Sequence, residues 1–485
     1  MELMIPLKTQ SGQPLYEQIY HYIKEEIRRG SLKAGTRLPS TRVLADHLKV
    51  SRSTTQMAYD QLVAEGYIET VPCRGYFVLK IEELVEVQPE PILGFTVEPE
   101  QEEVQLDVDF SPRGIDLTSF PYNAWRKVTR NTLVDDNKEM FLTGSPQGEP
   151  GLREAIRGYL HSARGVSCRA EQIIVGAGSE YLLMLLSLIL GPGHEIAMEN
   201  PTYKQAYRVL ESLGYEMKPV AMDAYGMNVK LLEDSGADVA YIMPSHQYPT
   251  GIVMPVKRRQ QLLSWAAKEK GRYLIEDDYD SEFRYKGKPI PALQGMDNLG
   301  KVIYMGTFSK SIAPAIRVGY LVLPNDLLYI YKKRYSFYAS TVSRIDQKII
   351  YQFLVDGHYE RHLNRMRAIY KAKHDVLMGE LRKLEPWFEI RGEFAGLHVL
   401  LRDKQHYSEE WLVERAKNVG VGVYRLSSCF ITFHQASEKE SGCHDLEEYR
   451  STVVLGYARL EEKQIRDGIE RLYRAWCEEE KTGNL

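Results

Sequence analysis

Hydrophobic positions along this chain follow two different periods. In the first 80 residues they recur every three or four positions, as on one face of a helix. Beyond residue 107, short continuous apolar runs alternate with helical stretches. The first helical stripe ends at Gly30, which predicts one amphipathic helix at the start of the chain. The members of this stripe are Leu15, Ile19, Ile23 and Ile27.

Two further helices are predicted behind the first, each with a serine in the N-cap position. Ser40 precedes a short helix whose inner face we expect to hold Val43, Leu44 and Leu48. Ser51 precedes a third helix whose first turn is polar and whose second half is apolar. The front of that third helix is therefore suited to contact with a partner, and its rear to packing.

β-Rich runs follow the third helix at residues 67–69 and 76–78. Between them lies the sequence Val-Pro-Cys-Arg-Gly at 71–75, which has the proline and glycine of a turn. This pattern predicts a β-hairpin. Three helices followed by a hairpin are the elements of a winged helix-turn-helix.

Residues 81–107 interrupt both periods. They contain nine acidic residues, no lysine or arginine, and prolines at 89, 91 and 99, a composition typical of an extended linker. The net charge of the whole chain is −4, but residues 1–80 carry +3 and the remainder −7. We therefore expect a basic domain at 1–80, an acidic linker at 81–107 and a larger domain at 108–485.

The larger region predicts an α/β fold. Apolar runs of strand type lie at 172–175, 240–243, 273–275 and 302–305, with helical patterns between them. Such alternation is typical of a mostly parallel sheet covered by helices. The longest apolar stretch, 182–190, is far shorter than the ~20 residues that cross a bilayer, so we expect a buried helix there and no membrane contact.

The cysteines do not predict a disulfide framework or a metal site. None of the five has CxxC spacing, and we expect them to be buried free thiols. Residues 1–20 lack the uninterrupted apolar core of a signal peptide, so a cytoplasmic location is expected. The five are Cys73, Cys168, Cys429, Cys443 and Cys477.

The first domain carries three short motifs: Leu-Pro-Ser-Thr-Arg-x-Leu-Ala at 38–45, Val-Ser-Arg-Ser-Thr at 50–54 and Arg-Gly at 74–75. Together they resemble the GntR class of winged helices, which implies binding to double-stranded DNA with the front of the third helix in the major groove. Which residues read bases and which hold phosphates stays open. The residues that this resemblance nominates are Arg42, Arg52, Ser53, Thr54, Gln56, Arg74 and Gly75.

In the second domain, Thr-Phe-Ser-Lys-x-x-x-Pro-x-x-Arg-x-Gly at 307–319 resembles the cofactor-lysine segment of fold-type I pyridoxal-phosphate enzymes. The resemblance implies that Lys310 binds the aldehyde of pyridoxal 5′-phosphate covalently. It also implies that Arg317 grips the phosphate, to which Thr307 and Ser309 add hydroxyl groups.

Two other segments resemble parts of the same cofactor site. Gly-Ala-Gly-Ser-Glu at 176–180 is a strand-to-helix turn, in which Gly178, Ser179 and Glu180 would offer backbone N–H groups to the phosphate. Glu-Asp-Asp-Tyr-Asp at 276–280 resembles the family's aspartate-x-tyrosine element. Asp277 would then pair with the ring nitrogen and Tyr279 with the phenolic oxygen.

Tyr203 matches the aromatic residue that stacks on the cofactor ring in this family. The segment Ser-His-Gln-Tyr-Pro-Thr-Gly at 245–251 corresponds to the aminotransferase Asn-Pro-Thr-Gly loop, but Tyr248 stands in place of the asparagine. The contact that this asparagine makes to the phenolic oxygen then passes to another group, and Gln247 and His246 are the candidates.

A second departure concerns the arginine that binds substrate carboxylates in a late Arg-Leu-Gly-Phe/Tyr-Ala element of aminotransferases. Here the sequence Val-Val-Leu-Gly-Tyr-Ala at 453–458 places Val454 at that position. Arg425 and Arg459 are the nearby candidates to replace it. The identity of the ligand therefore stays open.

Taken together, these motifs make nearly the whole chain similar to the MocR/GabR-like transcription regulators. The resemblance implies a GntR-type winged helix fused to a fold-type I aminotransferase-like α/β domain, acting as a homodimer. Pyridoxal 5′-phosphate, with a small amino compound or the vitamer itself as effector, would control promoter binding.

Two other functions stay under consideration. The first is an active pyridoxal-phosphate-dependent aminotransferase with an accessory DNA-binding module, although Tyr248 and Val454 predict weak transaminase turnover at most. The second is a DNA-binding scaffold without a cofactor, which the joint presence of lysine, aspartate and phosphate cradle disfavours. No metal site is expected. The target promoter, and whether it is activated or repressed, stay open.

Overall fold

The computed structural model describes residues 3–8, 12–80, 106–134, 138–285, 290–393, 396–431 and 449–478. The chain divides into two compact units, Met1–Glu103 and Val104–Leu485. The linker predicted at 81–107 lies outside the described residues except for its last two positions.

The first unit has the predicted elements of a winged helix. Strands β1 and β2 pair antiparallel, with Ile68 opposite Val78. Ile19 and Ile23 of the first helix are fully buried against Ala58 and Leu62 of the third. Together with Ile27 they put three of the four residues of the predicted stripe in the core, whereas Leu15 is half-buried. The elements are α1 Leu15–Arg28, α2 Thr41–Leu48, α3 Arg52–Ala64, β1 Ile68–Val71 and β2 Gly75–Val78.

Both predicted N-caps are confirmed. The Ser40 hydroxyl accepts a hydrogen bond from the backbone N–H of Val43, and the Ser51 hydroxyl accepts one from Thr54. The prediction that Val43 faces inward was wrong, because its side chain is 59% exposed. The inner face of α2 holds Leu44 and Ala45. Successive residues of a helix are rotated by about 100°, so Val43, just before Leu44, points toward solvent.

In the second unit, the described residues form a large sheet of eight strands in the order β4-β11-β10-β9-β8-β5-β6-β7. Strands β5, β6, β8, β9 and β10 run parallel, whereas β11 is antiparallel to both of its neighbours. The eight strands are β4 Ile173–Gly176, β5 Glu195–Asn200, β6 Glu216–Asp223, β7 Gly226–Met227, β8 Val239–Ile242, β9 Tyr273–Asp278, β10 Val302–Thr307 and β11 Gly319–Val322. Two further strands outside this sheet, β3 Val108–Asp109 and β14 Val421–Gly422, pair with each other.

A smaller sheet follows toward the end of the chain, in the order β12-β13-β16-β15. Its described strand pairs are antiparallel, so the unit is an α/β body with a second, antiparallel layer. Its strands are β12 Phe388–Arg391, β13 His398–Asp403, β15 Tyr424–Arg425 and β16 Thr452–Gly456.

Helices cover the large sheet and the smaller one. Helix α6, the predicted buried helix, is buried at Leu182, Leu183 and Leu186, and packs against β10 and β11. The helices of this unit are α4 Tyr122–Val134, α5 Pro150–Arg164, α6 Ser179–Leu190, α7 Lys204–Ser212, α8 Val229–Asp234, α9 Val256–Ala267, α10 Asn325–Arg334, α11 Arg344–Val355, α12 His358–Leu381, α13 Glu409–Asn418 and α14 Glu462–Tyr473.

The described cysteines form no disulfide with one another, as predicted, but not all of them are buried. Cys429 and Cys477 are buried, Cys168 is half-buried, and Cys73 is exposed because it lies in the turn between β1 and β2. Cys443 lies outside the described residues. Among the described helices, none combines the length and the apolar character needed to span a bilayer.

Candidate functional site

The second unit contains a cavity of about 750 Å³ near the carboxyl ends of β9 and β10. This edge is where ligands bind in open α/β sheets. The predicted cofactor residues that line the cavity are Ser179, Glu180, Tyr203, Asp277, Tyr279, Thr307, Ser309, Lys310 and Arg317. The cavity thus brings together segments that are spread over 138 positions of the sequence.

Lys310 follows β10 and projects toward the segment that precedes α4. Its Nζ donates hydrogen bonds to the carbonyl oxygens of Pro112, at 3.3 Å, and Arg113, at 3.1 Å. Burial lowers the pKa of this ammonium, and the charge of Arg113 lowers it further, against the opposing effect of Asp280. A lower pKa raises the fraction of neutral amine, which is the nucleophilic form.

Asp277 lies at the end of β9 and is buried. The Tyr241 hydroxyl on the neighbouring strand β8 donates a hydrogen bond to its carboxylate. Burial raises the pKa of Asp277 to about 7, even though the Tyr241 hydrogen bond lowers it. A buried carboxylate of this kind gains most from a cationic partner such as a protonated ring nitrogen. Sequence patterns did not single out Tyr241, since nothing local distinguishes it from other strand residues.

Gly178, in the turn that leads into α6, and Arg317, which follows the short helix Pro314–Ile316, lie against each other. We call this site the cradle. Gly178 has φ +91°, and a Cβ on it would come within 2.5 Å of Arg317 Nη2. Arg317 itself has φ +49° and forms an ion pair with Glu180 at 2.5 Å. These residues fit a phosphate group, because a guanidinium and the start of a helix converge where only a glycine leaves space.

Thr307 and Ser309 lie beside this cradle. The backbone N–H of Ser309 donates to the Thr307 hydroxyl oxygen at 3.1 Å, and that hydroxyl donates to the carbonyl of Val318 at 3.4 Å. Thr307 therefore braces the turn that carries Lys310, while the Ser309 hydroxyl faces the cavity without a hydrogen-bond partner among the described residues.

Tyr203 and Tyr248 form one wall of the cavity. Their ring centroids are 6.2 Å apart and nearly perpendicular, and the Tyr248 ring meets Tyr279 in the same way at 6.2 Å. Tyr203 is 36% exposed, so one face of its ring is open to a stacking partner. Tyr248, in place of the aminotransferase asparagine, lies directly on the cavity.

Of the two candidates to replace that asparagine, Gln247 is committed to its own loop. Its amide donates to the carbonyl of Pro201 at 2.8 Å and accepts from Thr250 at 3.0 Å. His246 instead lies 3.0 Å from the Tyr279 hydroxyl, through its Nδ1 atom. Neither residue lines the large cavity. Any influence of His246 on a ligand therefore passes through its neighbours in the lining, which are Tyr279, Asp280 and His398.

The structure separates the two candidate replacements for the carboxylate-binding arginine. Val454 is buried and lines the cavity, so this part of the wall is apolar. Arg425 lines the cavity and pairs with Glu410 at 3.2 Å, whereas Arg459 lies outside the lining, 3.7 Å from Asp109. Further cations of the lining that the sequence did not predict are Arg113, Lys204 and Arg208.

In the first unit, the arginines predicted to contact DNA are exposed. Arg42 and Arg52 stand at the starts of α2 and α3, and Arg74 in the turn between β1 and β2. None of the three forms an ion pair within the described part of this unit, and Arg74 lies over the Phe77 ring at 5.8 Å. Unpaired arginines at helix starts and at the hairpin tip suit contact with phosphate groups or base edges.

The side chains of the remaining predicted DNA contacts Ser53, Thr54 and Gln56 form hydrogen bonds within the first unit. The hydroxyls of Ser53 and Thr54 lie 2.7 Å and 2.8 Å from that of Ser51. The Gln56 amide donates to Asp60 at 2.7 Å and to the Tyr76 hydroxyl at 3.2 Å.

Gly75, with φ +108°, starts β2 and completes the tip of the hairpin. Arg37 was not predicted as a DNA contact. Its side chain lies beside this turn, because a Cβ on Gly75 would be 3.6 Å from Arg37 Nε.

Comparison with known proteins covers both units. The family described as "Bacterial regulatory proteins, gntR family" matches residues 15–78, and "Aminotransferase class I and II" matches residues 115–437. YdeL of Bacillus subtilis, described as an uncharacterized HTH-type transcriptional regulator, is 38% identical over 470 residues, which is 96% of this chain and 97% of YdeL. The probable rhizopine catabolism regulatory protein MocR of Rhizobium meliloti is 31% identical and covers 99% of this chain and 98% of its own.

Solved structures show the same fold for the second unit. A multiple substrate aminotransferase from Thermococcus profundus matches with a TM-score of 0.65 and 24% identity, over 78% of this chain and 93% of its own. An archaeal alanine:glyoxylate aminotransferase matches with a TM-score of 0.66 over 78% and 92%. The chain therefore belongs to the MocR-like transcription regulators, in which a DNA-binding GntR-type winged helix is joined to an aminotransferase-fold domain whose cofactor is pyridoxal 5′-phosphate.

Proposed function

We propose that this regulator senses a small amino compound at its pyridoxal-phosphate site and changes its affinity for promoter DNA in response. The observation that carries the proposal is the convergence of Lys310, Asp277, Tyr279 and Arg317 on one cavity of about 750 Å³. A chain that needed only to bind DNA has no use for a lysine with a lowered pKa in the same cavity as a buried aspartate with a raised one.

Each residue of the cavity has a specific part in this proposal. Lys310 holds the cofactor covalently, and Asp277 keeps the proton on the ring nitrogen. Arg317 holds the phosphate, together with the backbone N–H groups of Ser179 and Glu180, the hydroxyls of Thr307 and Ser309, and the space left by Gly178. Tyr203 stacks on the ring. When bound, pyridoxal phosphate supplies an aldehyde carbon that a primary amine can take over from Lys310.

The effector site occupies the rest of the same cavity. Val454 removes the usual carboxylate clamp, so an acidic group on the effector would meet other cations of the lining, among them Arg425. An effector that binds two arrangements of the regulator with different affinity shifts the balance between them by that difference. We propose a homodimer in the cytoplasm as the acting species, which would read paired half-sites on double-stranded DNA.

The cofactor part is tested by the visible absorption of protein reconstituted with pyridoxal phosphate. The wild type should show a band that survives dialysis, and Lys310→Ala should lose it. Lys204→Ala, a lysine in the wall of the same cavity, is the matched control and should keep the band. A band that is unchanged in K310A would contradict the assignment of Lys310.

The regulatory part is tested by fluorescence anisotropy with a duplex selected by the protein from a random DNA library. Addition of an amine or amino acid that alters the visible band should change the apparent Kd for this duplex severalfold in the wild type. The same compound should leave the Kd of K310A unchanged. If compounds alter the band but never the Kd, the cavity does not regulate DNA binding.

The same titration separates sensing from catalysis. A sensor holds its effector, so the altered spectrum should persist and no keto acid should accumulate. Conversion of the protein to its pyridoxamine form, with release of a keto product over many turnovers, would show that the chain works as an aminotransferase. The replacement of an arginine by Val454 argues for the first outcome, because the substrate carboxylate lacks its usual partner.

A further inference from the structure

The two carboxylate oxygens of Asp277 have different surroundings. Oδ2 accepts a hydrogen bond from the Tyr241 hydroxyl. Oδ1 has no hydrogen-bond partner among the described residues, and it is not enclosed by protein. Tyr241 is fully buried, whereas Asp277 is 7% exposed and lines the large cavity. One oxygen is therefore held within the sheet, and the other is open to the cavity.

The register of the sheet brings the two side chains together. In the parallel pair of β8 and β9, Tyr241 lies opposite Ile275. Side chains two positions apart in a strand lie on the same face of the sheet, so Tyr241, Ile275 and Asp277 share one face. The tyrosine side chain extends past Ile275 and reaches the carboxylate at the end of β9.

The strand on the other side of β9 supplies no donor. On β10, Met305 lies opposite Asp277, and a thioether cannot donate a hydrogen bond. Within the described part of the chain, Tyr241 is thus the side chain that donates to this carboxylate. Removal of its hydroxyl would leave Asp277 without a side-chain donor.

The chemistry of the pair makes Tyr241 the donor. Burial and the charge of Asp277 raise the pKa of Tyr241 well above its ordinary value, so its hydroxyl keeps its proton. A hydrogen bond to an ionised carboxylate stabilises the charged form over the neutral form. The bond therefore opposes the effect of burial, which raises the pKa of Asp277 to about 7.

The other titratable groups around the pair do not supply this stabilisation. Asp278 and Asp280, which follow Asp277 in the chain, raise its pKa further. Glu199, at the end of β5, acts on Tyr241, and burial raises the pKa of this glutamate to about 7. The remaining titratable or charged groups are Tyr203 and Tyr279, and the cavity cations Lys310 and Arg317, which form no ion pair with Asp277 in the described structure.

We propose that Tyr241 is a positioning residue that keeps Asp277 ionised by donating to Oδ2, and so leaves Oδ1 for the ring nitrogen of the cofactor. Tyr241 does not line the cavity, so it acts through Asp277 and never touches the cofactor. This inference rests on the proposed cofactor site. It adds a residue to which the cofactor roles assigned above give no part.

The test is the pH dependence of cofactor affinity in Tyr241→Phe. The Kd for pyridoxal phosphate is measured on the full-length, cofactor-free protein through the Lys310-dependent visible band, between about pH 6 and pH 9. In the bound state Asp277 must be ionised in both proteins. In the free state, Y241F should keep the proton on Asp277 to about one pH unit higher than the wild type, as expected when one charge-assisted hydrogen bond is lost.

The two proteins should therefore differ most at low pH. At about pH 6, Asp277 is protonated in both free proteins, and Y241F gives up this proton at the greater cost, so its Kd should be about tenfold higher. At about pH 9, Asp277 is already ionised in both, so the ratio of the two Kd values should fall toward one. A packing defect alone would raise the Kd by the same factor at every pH.

Tyr273→Phe is the matched control. Tyr273 is also a buried tyrosine of the large sheet, and its hydroxyl donates to the carboxylate of Asp326. Neither Tyr273 nor Asp326 lines the cavity, so Y273F should bind the cofactor like the wild type at each pH. In the background of Asp277→Asn, which cannot ionise, Y241F should add no pH-dependent change.

The outcomes separate this inference from the cofactor site on which it rests. If the wild type has no Lys310-dependent band, the cofactor site itself is wrong. If the band is present but the Kd ratio of Y241F to wild type is the same at every pH, the role of Tyr241 is overturned and the site stands. Should Y241F not fold, Tyr241→Met also lacks the hydroxyl and should give the same falling ratio, and a constant ratio there would overturn the role equally.

Discussion

The guanidinium of Arg317 occupies the space into which a side chain on Gly178 would project. An ideal Cβ on this glycine would lie 2.5 Å from Nη2 and 2.8 Å from Cζ of the arginine. Both residues have positive φ angles, +91° and +49°, so the two backbones are bent to bring the guanidinium against the start of α6. This close approach is what makes a compact anion cradle.

Gly178→Ala should therefore weaken cofactor binding. The methyl group forces Arg317 away from the cradle and strains a backbone with φ +91°. Loss of one charge-assisted phosphate contact corresponds to roughly a 10- to 100-fold increase in the Kd for pyridoxal phosphate, measured by absorbance titration of the cofactor-free protein.

Gly158→Ala is the matched control for that substitution. Gly158 lies in α5, is exposed, and has open space where a Cβ would stand. The change should leave the cofactor Kd unaltered and raise thermal stability slightly, because alanine favours a helix over glycine by about 1 kcal/mol. Equal cofactor affinity in G178A and G158A would contradict the cradle.

The features that could be predicted from the sequence are those that depend on residues close to one another along the chain. The N-caps at Ser40 and Ser51 involve contacts three positions apart, and Lys310 and Asp277 belong to motifs that end strands. The prediction that Val43 is buried was wrong, because the buried face begins at the next residue, Leu44. Helix α2 is too short for the spacing of its apolar residues to define that face.

Contacts between distant segments could not be predicted in this way. Tyr241 donates to Asp277 across two strands that are 36 positions apart. Gly396 meets His246 across 150 positions. Their sequences carry no period or motif that joins them, since the pairing arises only when β8, β9 and the smaller sheet are assembled. Both contacts are therefore products of tertiary structure.

The buried Asp277 should lower the free energy of unfolding of the cofactor-free protein, by an amount that depends on pH. Burial raises its pKa to about 7 in the folded state, against about 4 when unfolded. Between these values the folded state binds more protons, so stability falls as pH rises from about 4 to 7 and is level above that. Asp277→Asn should remove this cost, with roughly 1–3 kcal/mol greater unfolding free energy than the wild type at pH 8.

The measurement is urea unfolding of the cofactor-free proteins at several pH values, with Asp234→Asn as an exposed control. The advantage of D277N should shrink toward zero near pH 4, and D234N should follow the wild type throughout. D277N should also bind pyridoxal phosphate more weakly, since the ring nitrogen loses its ionic partner. A D277N protein that is less stable than the wild type at pH 8 would contradict the raised pKa.

The last prediction concerns Arg52, which is exposed at the start of α3 and forms no ion pair within the described first unit. Arg52→Ala should weaken binding to the selected duplex. If Arg52 holds a phosphate, all sequences lose affinity alike, and the slope of log K against log salt falls by about 0.9. If it reads a base, discrimination at one position falls by about 1–3 kcal/mol. Arg29→Ala is the matched control, because Arg29 directly follows α1 and lies 3.8 Å from Glu25. Equal affinities in the two variants would exclude Arg52 from the interface.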